Sequence, residues 1–247
     1  MPLARRPVSD VPFSVALIGP DGAGKSSISK ELVSRLGYPA KSIYMGVNLE
    51  ASRVMLPTTR LVLAVKRARG RRPEMTGTPD PGATRTARRG AMANLKSTLG
   101  LTNWMAEEWF RQGLAWYHLG RGRIVVFDRH FFCDYYAYDV APTYGPRPWI
   151  NRVHGQMLKR LYPQPQLTIF LDAPTDALLA RKQEATPDFL ERRRAEYGSL
   201  REVLPNFIAI DAARPLDEVV EAVTTEILSH VRLRLGIQQP REVGETT

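Results

Sequence analysis

The stretch Gly19-Pro20-Asp21-Gly22-Ala23-Gly24-Lys25-Ser26 constrains this chain more than any other, because it sets a glycine, four free positions and then Gly-Lys-Ser between two different periodicities. FSVALI runs into it as an apolar strand, and SSISKELVSRL leaves it with Ile28, Leu32 and Leu36 at helical spacing. A strand that ends in a glycine-rich turn and restarts as a helix aims backbone N–H groups and the positive end of the helix dipole at one point. Small residues let those donors turn inward around a polyphosphate, so Gly19, Gly22, Ala23 and Gly24 are read as the cradle, with Ser27 in support. Lys25 is expected to reach the β- and γ-phosphates. Ser26 is expected to offer its hydroxyl to Mg²⁺, a hard cation that favours oxygen. ATP and Mg²⁺ are the cofactors this pattern calls for.

Apolar runs of strand length recur at Phe13 to Ile18, Ser42 to Met45, Ile124 to Phe127, Leu167 to Leu171 and Phe207 to Ile210. Helical patterns fall at Lys25 to Leu36, Ala93 to Leu119, Pro148 to Leu161, Thr175 to Lys182, Pro187 to Leu200 and Leu216 to Leu235. With the glycine-rich motif, this alternation predicts an α/β fold of the P-loop NTPase kind: three layers, α/β/α, around a five-stranded, mostly parallel sheet. Unbroken apolar strands such as Ile124 to Phe127 suit the centre of such a sheet, and ligands bind at the C-terminal strand edge. One domain over residues 1–247 accounts for the length, with its core at about 12–236. Lys66 to Gly90 is rich in arginine, proline, glycine and threonine without hydrophobic period and reads as a basic flexible insertion. The preceding Leu61 to Arg69 fits a short amphipathic helix, and the polar tail 238–247 is expected to fray.

Beyond the generic pattern, three segments resemble the thymidylate kinase family. The first is GPDGAGKSS, whose Asp-Gly-Ala-Gly-Lys core is similar to that family's phosphate loop. The second is IVVFDRHFFCDYYAYD, a buried strand ending in Asp128-Arg129-His130. The third is LTIFLDAPTDALLARK leading into EATPDFLERRRAEYGSL, with FIAIDAARPLDEVVEAV as a closing strand and helix. The resemblance implies a kinase that moves a phosphoryl group from ATP to a nucleoside monophosphate, dTMP in the family's own reaction. It implies that Asp21 helps position acceptor or metal, that Asp128 and Ser26 hold Mg²⁺, and that Arg129 grips the acceptor phosphate. The resemblance also implies a helical lid at about 182–200, and because Gly22 stands where some members carry a basic side chain, a catalytic arginine is expected from it: Arg192 or Arg193, with Arg181 and Arg194 also near. Three adjacent arginines on a helix point in different directions, so one or two of them face inward. His130 is read as packed.

The acceptor half departs from that pattern. YMGVNLEASR replaces an acidic, proline- and glycine-rich loop and leaves Glu50 and Arg53 as its charged candidates. Where the family has a serine and then Ala-Tyr-Gln, its glutamine reading thymine, this chain has Cys133 and, one position late, Ala137-Tyr138-Asp139. Exchanging an amide for a carboxylate at such a position can redirect specificity. A kinase for another hydroxyl or phosphate acceptor, such as a sugar or glycan intermediate, is therefore the second reading. A third is a nucleotide-dependent nucleic-acid-binding protein that uses 66–90 as its contact. The net charge of +10 admits it, but no nucleic-acid-binding module is recognisable, so the expected partner is a small molecule. Trp109 and Trp116 share a helical face that suits burial or self-association, and the family tendency implies a homodimer by analogy. The single cysteine, Cys133, excludes an intramolecular disulfide. No apolar run is long enough to span a bilayer, and no apolar segment follows MPLARRPVSD, so a cytoplasmic protein is expected.

Overall fold

The computed structural model describes residues 12–46, 55–68, 91–141, 149–183 and 185–236. Five strands, β1 (Phe13–Ile18), β2 (Ala40–Tyr44), β3 (Ile124–Asp128), β4 (Leu167–Asp172) and β5 (Phe207–Asp211), form one sheet in the order β2-β3-β1-β4-β5. Every pairing is parallel, so the sheet is wholly and not merely mostly parallel. The helices are α1 (Lys25–Arg35), α2 (Pro57–Ala68), α3 (Ala91–Leu119), α4 (Phe131–Tyr135), α5 (Trp149–Arg160), α6 (Thr175–Arg181), α7 (Pro187–Ser199) and α8 (Leu216–Arg234). Of the expected basic insertion, residues 66–68 close α2 and 69–90 lie outside the described residues, as do Glu50, Arg53 and the tail 238–247.

The strand order follows from hydrophobicity. Every residue of β1 and β3 is buried, whereas β2 and β5 carry partly exposed positions, so the most apolar strands take the centre and the mixed ones the edges. Side chains alternate across the sheet. Phe13, Val15 and Leu17 of β1 pack with Ile28 and Leu32 of α1 and with Val220, Val223 and Ile227 of α8 on one face. Ala16 and Ile18 pack with Phe127, with Ala115 of α3, with Phe131 of α4 and with Leu158 of α5 on the other. Helices thus cover both faces of the sheet. Truncating one of these residues, for example Leu32→Ala, removes apolar contact and leaves a cavity worth about 2–5 kcal/mol.

Local signals set the helix ends that matter for the site. Thr186 caps α7 by accepting from the Phe189 N–H at 3.4 Å, with Pro187 in the first turn. The start of α1 is different: Gly24 precedes it in a left-handed conformation, no side chain caps it, and no acid stands in its first turn. Because β1 lies between β3 and β4, the turn after it opens where connections leave the sheet in opposite directions. Among the described residues no helix is long and apolar enough to cross a membrane.

Candidate functional site

The turn between β1 and α1 wraps around the amine of Lys25, which donates to the carbonyls of Gly19 at 2.8 Å and Pro20 at 2.6 Å. Gly19, Gly22 and Gly24 all have positive φ. At Gly22 a Cβ would also stand 2.7 Å from the Leu178 carbonyl oxygen of α6, so the loop has no room for a side chain there. Lys25 is buried. Burial and the nearby Arg129 guanidinium lower its pKa to about 7, against the pull of Asp21, Asp128 and Asp134.

Asp128 ends β3 beside this loop. One of its oxygens accepts from the Ser26 hydroxyl at 2.6 Å, and the other is buried with no hydrogen-bond partner. A carboxylate oxygen and a hydroxyl side by side, one lone-pair set unsatisfied, are hard-cation ligands. Among the described residues no group of three His, Cys, Asp or Glu could hold a metal ion, so oxygens from outside the chain, of water or of an anion, would complete a cation's shell here. Arg129, next in sequence, sits at φ 69 with its N–H on the Leu17 carbonyl at 3.0 Å, a left-handed conformation that costs a non-glycine residue about 1–2 kcal/mol. That turn brings its guanidinium to Asp21, with which it pairs. Burial opposes the charge on Arg129, but Asp134, Tyr197, Asp21 and Tyr44 outweigh it and hold the guanidinium charged. Burial would raise the Asp21 pKa, yet Arg129, Lys25 and Lys182 bring it down to about 2. His130 is neutral and packed as expected: burial pushes it down to about 4, and its ring meets Phe127 edge-on.

The arginines of α7 separate as helical geometry requires. Arg193 is buried and donates to the hydroxyls of Tyr197 at 2.7 Å and Tyr138 at 3.3 Å and to Glu196 at 2.5 Å. Tyr197 in turn donates to Asp134 at 2.8 Å, and the second oxygen of Asp134 is buried without a hydrogen-bond partner. Arg192 is exposed and lies over the Phe189 ring, 5.4 Å from its centroid. Arg194 grips Asp172 at the end of β4 through two bonds, at 2.7 and 3.0 Å. Of the two expected lid candidates, then, Arg193 faces inward and Arg192 does not.

Arg181 closes a second space. Its guanidinium donates to the carbonyls of Ala212 at 2.7 Å and Ala213 at 3.2 Å, and a cavity of about 520 Å³ opens between it, Ala23, Gly24, Ser27 and the β5–α8 turn. Arg111 of α3 is buried against Glu107 at 3.2 Å and donates to the Gly46 carbonyl at 3.1 Å, tying down the chain as it leaves β2.

Asp134, Tyr197 and Arg111 escaped the sequence reading, and Tyr138 entered it only as part of the displaced Ala137-Tyr138-Asp139 segment. Only Arg111 carried a visible signal, a Glu107/Arg111 pair four residues apart on a helix. Asp139 is placed differently from the base-reading role the resemblance suggested: both its oxygens are engaged inside the protein, one with Asn151 at 2.7 Å and one with His154 at 2.6 Å. Compared with models of known protein families and with curated proteins, the chain matches none.

Proposed function

We propose that the protein is an ATP- and Mg²⁺-dependent kinase with a P-loop, of the kind its motifs resemble. One observation carries this reading: a glycine turn that encloses a buried lysine, opens onto an uncapped helix N-terminus, and sets a serine hydroxyl against a strand-end aspartate whose other oxygen has no hydrogen-bond partner. Phosphate oxygens would take over the donors that now serve the Gly19 and Pro20 carbonyls. Ser26 and Asp128 fit Mg²⁺, which when bound supplies charge neutralisation at the phosphates. The cavity under Arg181 is of a size and position to take the donor's base and ribose.

Each neighbouring residue then has a task. Lys25 binds the donor phosphates. Asp21 holds Arg129, and Arg129 orients an anionic acceptor beside the transferring group. Arg193 brings positive charge to the transferring phosphoryl group, and α7 keeps water out. Between the acceptor classes left open, a nucleoside monophosphate such as dTMP or a non-nucleotide hydroxyl or phosphate, the engagement of Asp139 favours the second, because both oxygens of that buried carboxylate already bond inside the protein, to Asn151 and His154.

Incubating the chain with ATP and Mg²⁺ against nucleoside monophosphates, nucleosides, sugars and sugar phosphates, with mass analysis of products, tests the reading. A new phosphorylated product that disappears in Lys25→Ala is the expected result. ADP formation equal in wild type and Lys25→Ala would refute it.

A further inference from the structure

Between α4 and α5 the chain makes a single π-turn, Tyr136–Val140, closed by the Ala141 N–H on the Tyr136 carbonyl at 2.7 Å. Such turns are poor in intrinsic stability and persist where neighbours hold them. Here α5 does so. Gly155 lies so close to the turn that a Cβ would fall onto the Asp139 carbonyl oxygen. From the same helix, Asn151 and His154 take the two Asp139 carboxylate oxygens at 2.7 and 2.6 Å. The far nitrogen of His154 lies 3.4 Å from Glu108 of α3, and Glu108 also accepts from the Tyr162 hydroxyl at 2.6 Å. Tyr135 of α4 completes the surroundings, its ring edge-on to the imidazole with centroids 5.2 Å apart. His154 is thus a buried bridge between carboxylates from two other elements.

The residue before Asp139 reaches the candidate site. The Tyr138 hydroxyl accepts from Arg193, whose guanidinium also lies 5.4 Å from the centroid of the Tyr138 ring. Arg193 is held from a second side by Tyr197, itself bonded to Asp134 of the short helix that leads into the π-turn. The segment 131–140 therefore grips α7 at two points, and the firmness of one of them depends on how the turn is anchored.

We propose that His154 is a positioning residue: by clamping Asp139 it holds the π-turn where Tyr138 meets Arg193, and so keeps that arginine turned toward the phosphate side of α7. The catalytic consequence rests on the kinase reading, while the mechanical linkage does not. Burial works against a charged imidazole, but the bonds from Asp139 and Glu108 keep it protonated up to about pH 9, so the clamp is charged at neutral pH.

Hydrogen–deuterium exchange on the full chain tests the linkage without any substrate. In His154→Gln, exchange in 136–140 and 187–199 is expected to rise roughly tenfold while 19–36 stays as in wild type. Unchanged exchange in 187–199 overturns the proposal. Should His154→Gln fail to fold, Asp139→Asn, which keeps the volume and loses the charge, carries the same comparison. ATP turnover then tests the consequence: His154→Gln and Tyr138→Phe are expected to lower kcat roughly 10- to 100-fold with KM for ATP unchanged, since a displaced arginine weakens transition-state contact more than donor binding. Wild-type kcat in both variants contradicts it. If the wild-type chain turns over no ATP with any of the nucleoside monophosphates, nucleosides, sugars and sugar phosphates, the kinase reading falls, and the exchange of 187–199 still decides whether His154 positions α7.

Discussion

The Lys25 amine is buried beside a second cation, Arg129, and its pKa falls to about 7. A phosphate placed at that amine restores the charge, so nucleotide binding at pH 8 takes up close to one proton, and the uptake shrinks toward pH 6 where the lysine is already protonated. Calorimetry of ADP with Mg²⁺ in buffers of different ionisation enthalpy measures this directly; a pH-independent heat with no proton uptake would show that Lys25 does not meet the phosphates. The α7 arginines differ just as sharply. Arg193→Ala is expected to lower turnover by about 10²–10³-fold, the usual loss when a buried donor to a developing charge is removed, and Arg192→Ala to leave it within about twofold. Equal effects would place the charge elsewhere. Neighbouring residues of identical chemistry acquire these different fates from helical phase alone, which is why the run Arg192-Arg193-Arg194 could be read in the sequence as a candidate group but not resolved into members.

At the scale of elements, the glycine-rich turn between β1 and α1 and the π-turn are opposite cases. The first announces itself, because its glycines, its lysine and the change from strand to helix period sit in one unbroken stretch, Phe13–Arg35. The second is written in residues far apart: Gly155 and His154 on one helix, Asp139 in the turn, Glu108 on α3. No local pattern links them. Gly155→Ala is expected to destabilise the chain by about 3 kcal/mol, since the added methyl meets backbone that cannot yield without breaking the turn, and chemical denaturation measures it. The His154 clamp adds a pH signature. Its folded pKa of about 9 exceeds the ordinary 6.5, so its stabilisation is complete below pH 6.5 and is lost as pH rises through about 9. The gap in thermal midpoint between wild type and His154→Gln is therefore expected to narrow steadily across that window, and a gap constant with pH would show that the ring is not charged.

For the whole molecule, apolar runs separated by helical periods were sufficient to place all five strands within a residue or two of their observed ends and to foretell parallel pairing. Their order in the sheet came from long-range competition for the centre, in which β3 inserts beside β1 and displaces β2 to the edge. That order is what carries Asp128 to Ser26 across 102 residues of chain. The glycine turn around Lys25 was legible because its residues stand together in one short motif. Arg129 and Arg193 were named from motifs too, but their meeting with Asp134 and Tyr138 was not legible, because these four come from the turn after β3, from α4, from the π-turn and from α7, and only the packed fold brings them together. Equilibrium binding of ATP to wild type and Lys25→Ala, each with and without Mg²⁺, tests this assembly most directly. The predicted result is Mg²⁺-dependent binding that weakens about 10- to 100-fold in Lys25→Ala, the worth of a buried charged hydrogen-bond donor; equal affinities in the two proteins would contradict it.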